Sequence, residues 1–153
     1  AEENDTIDKL INKQTSRMKE LITWSDKYDL GIAKIDSQHQ KMIGIINTLY
    51  RAMEASTEKE EMSAILQELI DYANYHFATE EEHFKEFNYE DTVEHTKTHD
   101  MYRERISKFT EEYFNNAIML PFEMMDFLSE WWTGHIQGID RKYVPSFHEH
   151  GMK

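Results

Sequence analysis

The sequence contains no cysteine, which excludes disulfides, thiolate–zinc sites and iron–sulfur clusters. The absence fits a reducing compartment. Only two prolines, Pro121 and Pro145, and five glycines punctuate the 153 residues, so little interrupts a regular backbone. No apolar run approaches the ~20 residues that a membrane span needs. Basic residues are in short supply as well. The formal net charge of −13 disfavours nucleic-acid phosphates and anionic membranes as partners. The opening AEENDTIDKL is acidic and lacks the basic-then-apolar order of a signal peptide. These absences together lead to the expectation of a cytoplasmic protein with no nucleic-acid partner and no membrane insertion by this segment. A first residue other than Met is compatible with a processed chain or a piece of a longer one.

What remains is enough for one core. Hydrophobic residues make up 39% of the chain and aromatic residues 12%. The apolar residues recur at three- and four-residue steps, with no sustained strand-like alternation. His39, Met42, Ile43, Ile46, Tyr50 and Met53 form one inward stripe, and Ser37 with Gln40 reads as a capping box at its start. Met62, Ile65, Leu66, Leu69, Ala73, His76, Glu80, Phe84 and Phe87 form a second, with Thr57 and Glu60 as its box. Asn88 is placed to stop that helix in a left-handed conformation.

A third stripe begins near Asp91 and reads His95, His99, Tyr102, Ile106, Phe109 and Tyr113. Pro121 suits the first turn of a fourth helix, whose stripe is Met124, Leu128, Trp131, His135 and Ile139, with Pro145 at or beyond its end. The pattern predicts an all-α, antiparallel, up-down-up-down four-helix bundle over residues 23 to 153. Ile7, Leu10, Ile11, Met18, Leu21 and Ile22 predict an additional N-terminal helix or linker over residues 1 to 22. The stretch TWSDKYDLGIAKID then reads as a loop into the bundle.

The polar residues on these stripes carry the chemistry. His39, His76, Glu80, His95, His99 and His135 all fall on positions assigned to the core. A buried charge or imidazole costs several kcal/mol unless it is paired or metal-bound. One inward histidine is readily a satisfied core residue, whereas six such groups from four helices describe a site. His76 with Glu80, and His95 with His99, are four apart and share a face. Asp140 follows His135 by five, about 40° past its line in an ideal helix. Imidazole with carboxylate suits iron, zinc, copper or manganese, and seven side chains suit two ions better than one.

The segments WSDKYDLGIAKIDSQHQKM, HFATEE, HTKTH and HIQGID, in that order over residues 24 to 144, resemble the hemerythrin family, its bacterial members in particular. The resemblance implies a non-haem diiron cofactor, two iron ions bridged by oxide or hydroxide and by two carboxylates. His95, His99 and His135 would bind one iron. His39 and His76 would bind the other, leaving a position open to dioxygen, and Glu80 and Asp140 would bridge both.

The expected activity is reversible dioxygen binding for transport, storage or sensing, not catalysis. Two ferric ions, one oxide and two carboxylates leave a cluster of about +2, and so few carboxylates disfavour the high-valent iron of O–O cleavage. Met42, Ile43, Trp131, Ile136 and Ile139 are candidates for a dry oxygen pocket, and Trp24 matches the family's loop tryptophan, expected to close the bundle end. A diiron peroxidase or oxidase is the enzymatic alternative, with Tyr102 as its one nearby acid–base or redox group. A sensor domain for oxygen or nitric oxide, covalently linked to a signalling module through residues 1 to 22, is a third reading. The assembly expected is a monomer or weak oligomer. His83, His148 and His150 are read as peripheral, and Glu81 or Glu82 as a support for a ligand imidazole. Gly134 and Gly138 are read as allowing close helix approach.

Overall fold

A computed structural model describes residues 20–115 and 122–153. Helix α1 is Ala33–Glu54, α2 is Lys59–Glu86, α3 is Thr92–Asn115 and α4 is Phe122–Gly134. A five-residue π-helical turn, His135–Ile139, and a 3-10 turn, Asp140–Tyr143, continue α4 into the short helix α5, Val144–Glu149. The four long helices form the expected bundle, and the described residues contain no strand. The N-terminal helix expected over residues 1 to 22 lies almost wholly outside the described residues. Its last three, Glu20 to Ile22, are not helical, and the expectations on Pro121 and most of NNAIML also fall outside.

The stripes are the buried faces. Every named residue of the third is buried, as are Met42, Ile43, Ile46, Leu66, Leu69 and Phe84 on the first two. On α4 the face turns differently from the expectation. Trp132 is fully buried and Trp131 only partly so. The Trp132 indole N–H donates to the Tyr102 hydroxyl at 3.1 Å, which ties α4 to α3.

Both capping boxes are corrected by the structure. α1 begins four residues before Ser37, and Asp36 in its first turn reaches back to accept the Leu30 and Gly31 N–H groups at 2.8 and 3.1 Å. Thr57 is taken by the end of α1. Ser56 adopts φ 52°, and the Thr57 N–H closes onto the Ala52 carbonyl at 3.1 Å. No side-chain bond caps α2. The stop at Asn88 is as expected: its φ is 51°, and the Tyr89 N–H reaches the Phe84 carbonyl at 2.9 Å. Pro145 lies beyond the end of α4, in the first turn of α5, where a missing N–H costs nothing.

The chain ahead of α1 is pinned to the bundle. Trp24 packs partly buried beside Tyr28, the ring centroids 5.4 Å apart. Arg141 Nη2 donates to the Lys27 carbonyl at 2.7 Å, and His148 Nε2 donates to Gly31 at 3.0 Å.

Candidate metal centre

The mid-levels of the four helices bring seven ligand-type side chains to one buried place. His39 comes from α1, His76 and Glu80 from α2, His95 and His99 from α3, and His135 and Asp140 from the π turn and its end. All are buried, and only His95 and His135 keep any exposure, 3% and 4%. The i,i+4 pairs stack as the helix period requires. Asp140 joins them by a different device. Its N–H donates to the His135 carbonyl, the i to i+5 bond of a π turn, which inserts one extra residue and restores the inward line that an ideal helix would miss. Gly134 precedes this turn and Gly138 lies within it. A Cβ added to either meets nothing within 4 Å, so the expected close helix approach is not their role.

The side chains divide into two overlapping groups. Glu80, His95, His99, His135 and Asp140 offer ligand atoms within 4.8 Å of one another, and so do His39, His76, Glu80 and Asp140. Both carboxylates belong to both groups. Asp140 Oδ1 lies 3.0 Å from Nε2 of His95 and of His135, while Oδ2 lies 3.0 Å from His39 Nε2. His95 and His135 Nε2 are themselves 3.2 Å apart, which completes a triangular face. Glu80 Oε1 stands 3.1 Å from His76 Nε2 and 3.4 Å from His99 Nε2.

The carboxylate–imidazole contacts are close but not aligned as hydrogen bonds. Both oxygens of Glu80, both of Asp140, and Nε2 of His39, His76 and His99 are buried without a hydrogen-bond partner. Such atoms cost about 1–3 kcal/mol each if left unsatisfied. Two ligands at right angles on a metal, each bonded at about 2.1 Å, lie about 3.0 Å apart. The spacing and the unpaired atoms therefore fit cations between the side chains, and the sulfur-free, imidazole-rich set fits iron, zinc, copper or manganese.

The electrostatics agree. Burial works to raise the Asp140 carboxyl, but His135, His39 and His95 hold it well below the usual carboxylate range. Burial and the Asp140 charge work to raise Glu80, and His76 and His99 more than offset them. Burial, with His76 beside it, keeps His39 low and hence neutral, the form that binds metal. Burial also pulls His99 down, yet Glu80 and Glu81 bring it up to about 9.

The far nitrogens of the imidazoles are held from behind. His76 Nδ1 donates to Gln38 Oε1 at 2.7 Å and His99 Nδ1 to Glu81 Oε1 at 3.2 Å. Arg103 stands 3.6 Å from Glu81 and donates to Asn74 at 2.9 Å. Thr98 Oγ1 lies 3.5 Å from His135 Nδ1, and His39 Nδ1 has no partner among the described residues. Glu81 thus has the supporting position expected for it, whereas Glu82 is exposed. Gln38, Phe77 and Tyr143 escaped the sequence reading. Phe77 stacks on His99 with centroids 3.9 Å apart, and Tyr143 follows Asp140 by three, the spacing that would have flagged it.

Met42 and Ile136 are fully buried, Ile43 is nearly so, and Trp131 stacks on His135 at 4.1 Å. Ile139 is placed elsewhere, in a surface cleft with His95, Thr98 and Lys142. Tyr102 joins the aromatic wall of Phe77, Trp131 and Trp132. His83, His148 and His150 belong to neither ligand group: His83 lies 3.4 Å from Glu86, and the other two are exposed.

The family model described as "Hemerythrin HHE cation binding domain" matches residues 30–147. The chain is 30% identical over 130 residues to the bacteriohemerythrin of Stenotrophomonas maltophilia, covering 85% of this chain and 84% of that one. It is 31% identical over 128 residues to the bacteriohemerythrin of Clostridium acetobutylicum, covering 81% and 99%. A crystal structure of wild-type hemerythrin superposes with a TM-score of 0.76 at 24% identity, covering 82% of this chain and 96% of that one, a likeness of fold. A bundle whose inner faces carry the buried His, Glu and Asp set, matched from before α1 to within α5, belongs to the hemerythrin family.

Proposed function

We propose that this protein binds dioxygen reversibly at a pair of non-haem iron ions. The observation that supports the reading best is the sharing of Glu80 and Asp140 between a group of five ligands and a group of four. His95, His99 and His135 would hold one iron, His39 and His76 the other, and the two carboxylates would bridge them together with oxide or hydroxide. The His39 and His76 side, with fewer protein ligands, would be the one with room for gas. Such a pair of ions supplies two electrons that can pass to dioxygen and return.

The chain's own residues set the conditions for return. Gln38 and Glu81 accept the far N–H of His76 and His99, and so fix the tautomer that leaves Nε2 free for metal. Met42, Ile43 and Ile136 are buried and Trp131 stacks on His135, and together they would keep water from the site and protect reduced metals from irreversible oxidation. Five imidazoles with only two carboxylates would keep an oxide-bridged diferric pair near +2, a poor support for the higher-valent iron that O–O cleavage demands.

Iron analysis with an aerobic and an anaerobic visible spectrum tests the reading. Two irons per chain and a charge-transfer band that disappears on removing dioxygen and returns on readmitting it are expected. Protein that stays colourless in air after iron loading would overturn it.

A further inference from the structure

A metal centre sealed inside a bundle needs a way in for its ions. Five of the seven ligand-type side chains have no exposure, and His95 and His135 keep 3% and 4%. Of these two, His95 lines a surface cleft of about 320 Å³, together with Asp91, Glu94, Thr98 and Lys142. An ion with six waters fills roughly 200 Å³, at the ~30 Å³ each water takes in the liquid, so the cleft has room for one. The helix period builds the cleft wall. Asp91, Glu94, His95 and Thr98 recur at three- and four-residue steps from the start of α3, so one stripe carries two carboxylates, an imidazole and a hydroxyl.

His95 stands between the cleft and the centre. Its Nε2 faces inward, 3.0 Å from Asp140 Oδ1 and 3.2 Å from His135 Nε2. Its Nδ1 makes no hydrogen bond among the described residues, whereas Nδ1 of His76 and of His99 each donates to a side chain. Thr98, in the same wall, lies 3.5 Å from Nδ1 of His135. A single imidazole thus separates the cleft from the triangular face that it forms with His135 and Asp140.

The two carboxylates have a plainer task available, because acids at a helix start complement its dipole. That task requires neither a cleft nor a ligand imidazole behind them. Asp91 is exposed and makes no side-chain hydrogen bond or ion pair among the described residues. Glu94 lies 3.5 Å from Lys97 in an exposed pair, which holds weakly and yields to a divalent ion. Carboxylates that line a cleft concentrate cations there and speed their entry by about ten-fold or more. Lys142, across the same cleft, opposes them.

We propose that this cleft is the loading port of the metal centre: Asp91 and Glu94 hold a hydrated divalent cation on its way past His95 to the ligand set. The inference rests on the metal centre of the proposed function.

The test is the rate at which the metal-free full chain takes up Fe(II), without oxygen and at low ionic strength, followed by the Fe(II) left for a chromogenic chelator. Asp91→Asn with Glu94→Gln should slow uptake about ten-fold, and Lys142→Gln should speed it about two- to three-fold. Glu111→Gln with Glu112→Gln removes the same charge from the exposed far end of α3 and should stay within about two-fold of wild type. All differences should shrink in 1 M salt, where charges are screened within about 3 Å. Release to a chelator should slow along with uptake, so that affinity stays within about two-fold, because neither acid ligates the resident ion. Uptake as fast in the Asp91 and Glu94 variant as in the Glu111 and Glu112 variant would overturn the inference. Unchanged uptake with a lower melting temperature would overturn it by showing a dipole role, and unchanged uptake with weaker affinity by showing an effect on the bound ion alone. Each of these results leaves the proposed function standing. Wild-type protein that takes up no iron would instead overturn the proposed function, and this inference with it.

Discussion

Gln38 accepts a hydrogen bond from Nδ1 of His76 at 2.7 Å, across the α1–α2 interface and one residue before His39. One turn of α1 therefore supplies a ligand to the four-residue group and grips that group's other histidine from behind. The Gln38 amide is held in turn, donating to Thr79 Oγ1 at 3.3 Å, whose hydroxyl donates to the Tyr75 carbonyl at 3.1 Å. Gln38→Leu removes the acceptor at nearly constant volume. We predict a 10- to 100-fold loss of affinity at the His39 and His76 side, with the other side little changed. Chelator competition on the loaded protein checks this: the variant should give up its first iron early and keep the second. Two irons lost together at the wild-type concentration would contradict it.

Proton competition should be visible at His99. Burial acts to lower this histidine, but Glu80 and Glu81 raise it from 6.5 to about 9. A raised value means that its contribution to folding of the metal-free protein is complete below pH 6.5 and fades as pH climbs through about 9. Metal needs the neutral ring, so the same window should show the opposite trend for binding. Metal-free melting temperature is expected to fall from pH 6.5 to 9 while metal affinity gains about ten-fold per pH unit from this one proton. Melting curves and competition titrations across that range measure both. Parallel trends would show that His99 is not the titrating group.

The difference between what the sequence told and what it concealed has a physical pattern. The candidate ligands on regular helices were legible as inward pairs because a period of 3.6 residues places His76 with Glu80 and His95 with His99 without reference to anything distant. Asn88 was legible because few residues other than glycine tolerate a positive φ. Asp140 was the hard case. Its alignment depends on a hydrogen bond shifted to i+5, which no hydrophobic period encodes. Thr57 and Ser37 misled because their backbones are spent elsewhere, one closing α1 and the other inside it. Gln38 and Phe77 stand about 100° from the ligands beside them, so their roles appear only when α1 meets α2 and α2 meets α3.

Phe77 should carry more stability than its absence from the inward stripe suggests. Its ring lies between His99 at 3.9 Å and Trp132 at 5.6 Å, nearly parallel to both, with the Arg103 guanidinium 5.1 Å from its centroid. Phe77→Ala opens a cavity against a ligand and against α4. A loss of about 3–5 kcal/mol is expected in denaturant titrations of the metal-free protein. Phe77→Leu refills most of the space without the stacked face. It should recover much of that stability, yet leave His99 looser and metal release faster than in wild type.

Asn47 makes a prediction about the chain ahead of the bundle. It lies two turns beyond His39 on α1 and is buried at 6% exposure. Its Oδ1 accepts the N–H groups of Leu21 and Ile22 at 2.9 and 3.0 Å, and its Nδ2 donates to the Ile22 carbonyl at 2.8 Å. A side chain thus does what a neighbouring strand would do, and Ile22 is pressed into the core at 3% exposure. Asn47→Leu leaves two backbone donors and one acceptor without partners, at a cost of about 1–3 kcal/mol. The cost should be local. Hydrogen exchange at Leu21 and Ile22 should quicken by one to two orders of magnitude, about what that free energy allows, while the amides around His39 and His76 keep their protection. Asn47→Asp retains the acceptor and loses the donor, so it should fall between the two. Iron content should be unchanged in both variants, because no ligand touches Asn47. Loss of iron in Asn47→Leu would mean that the docked segment, not the bundle alone, holds α1 at the distance His39 requires.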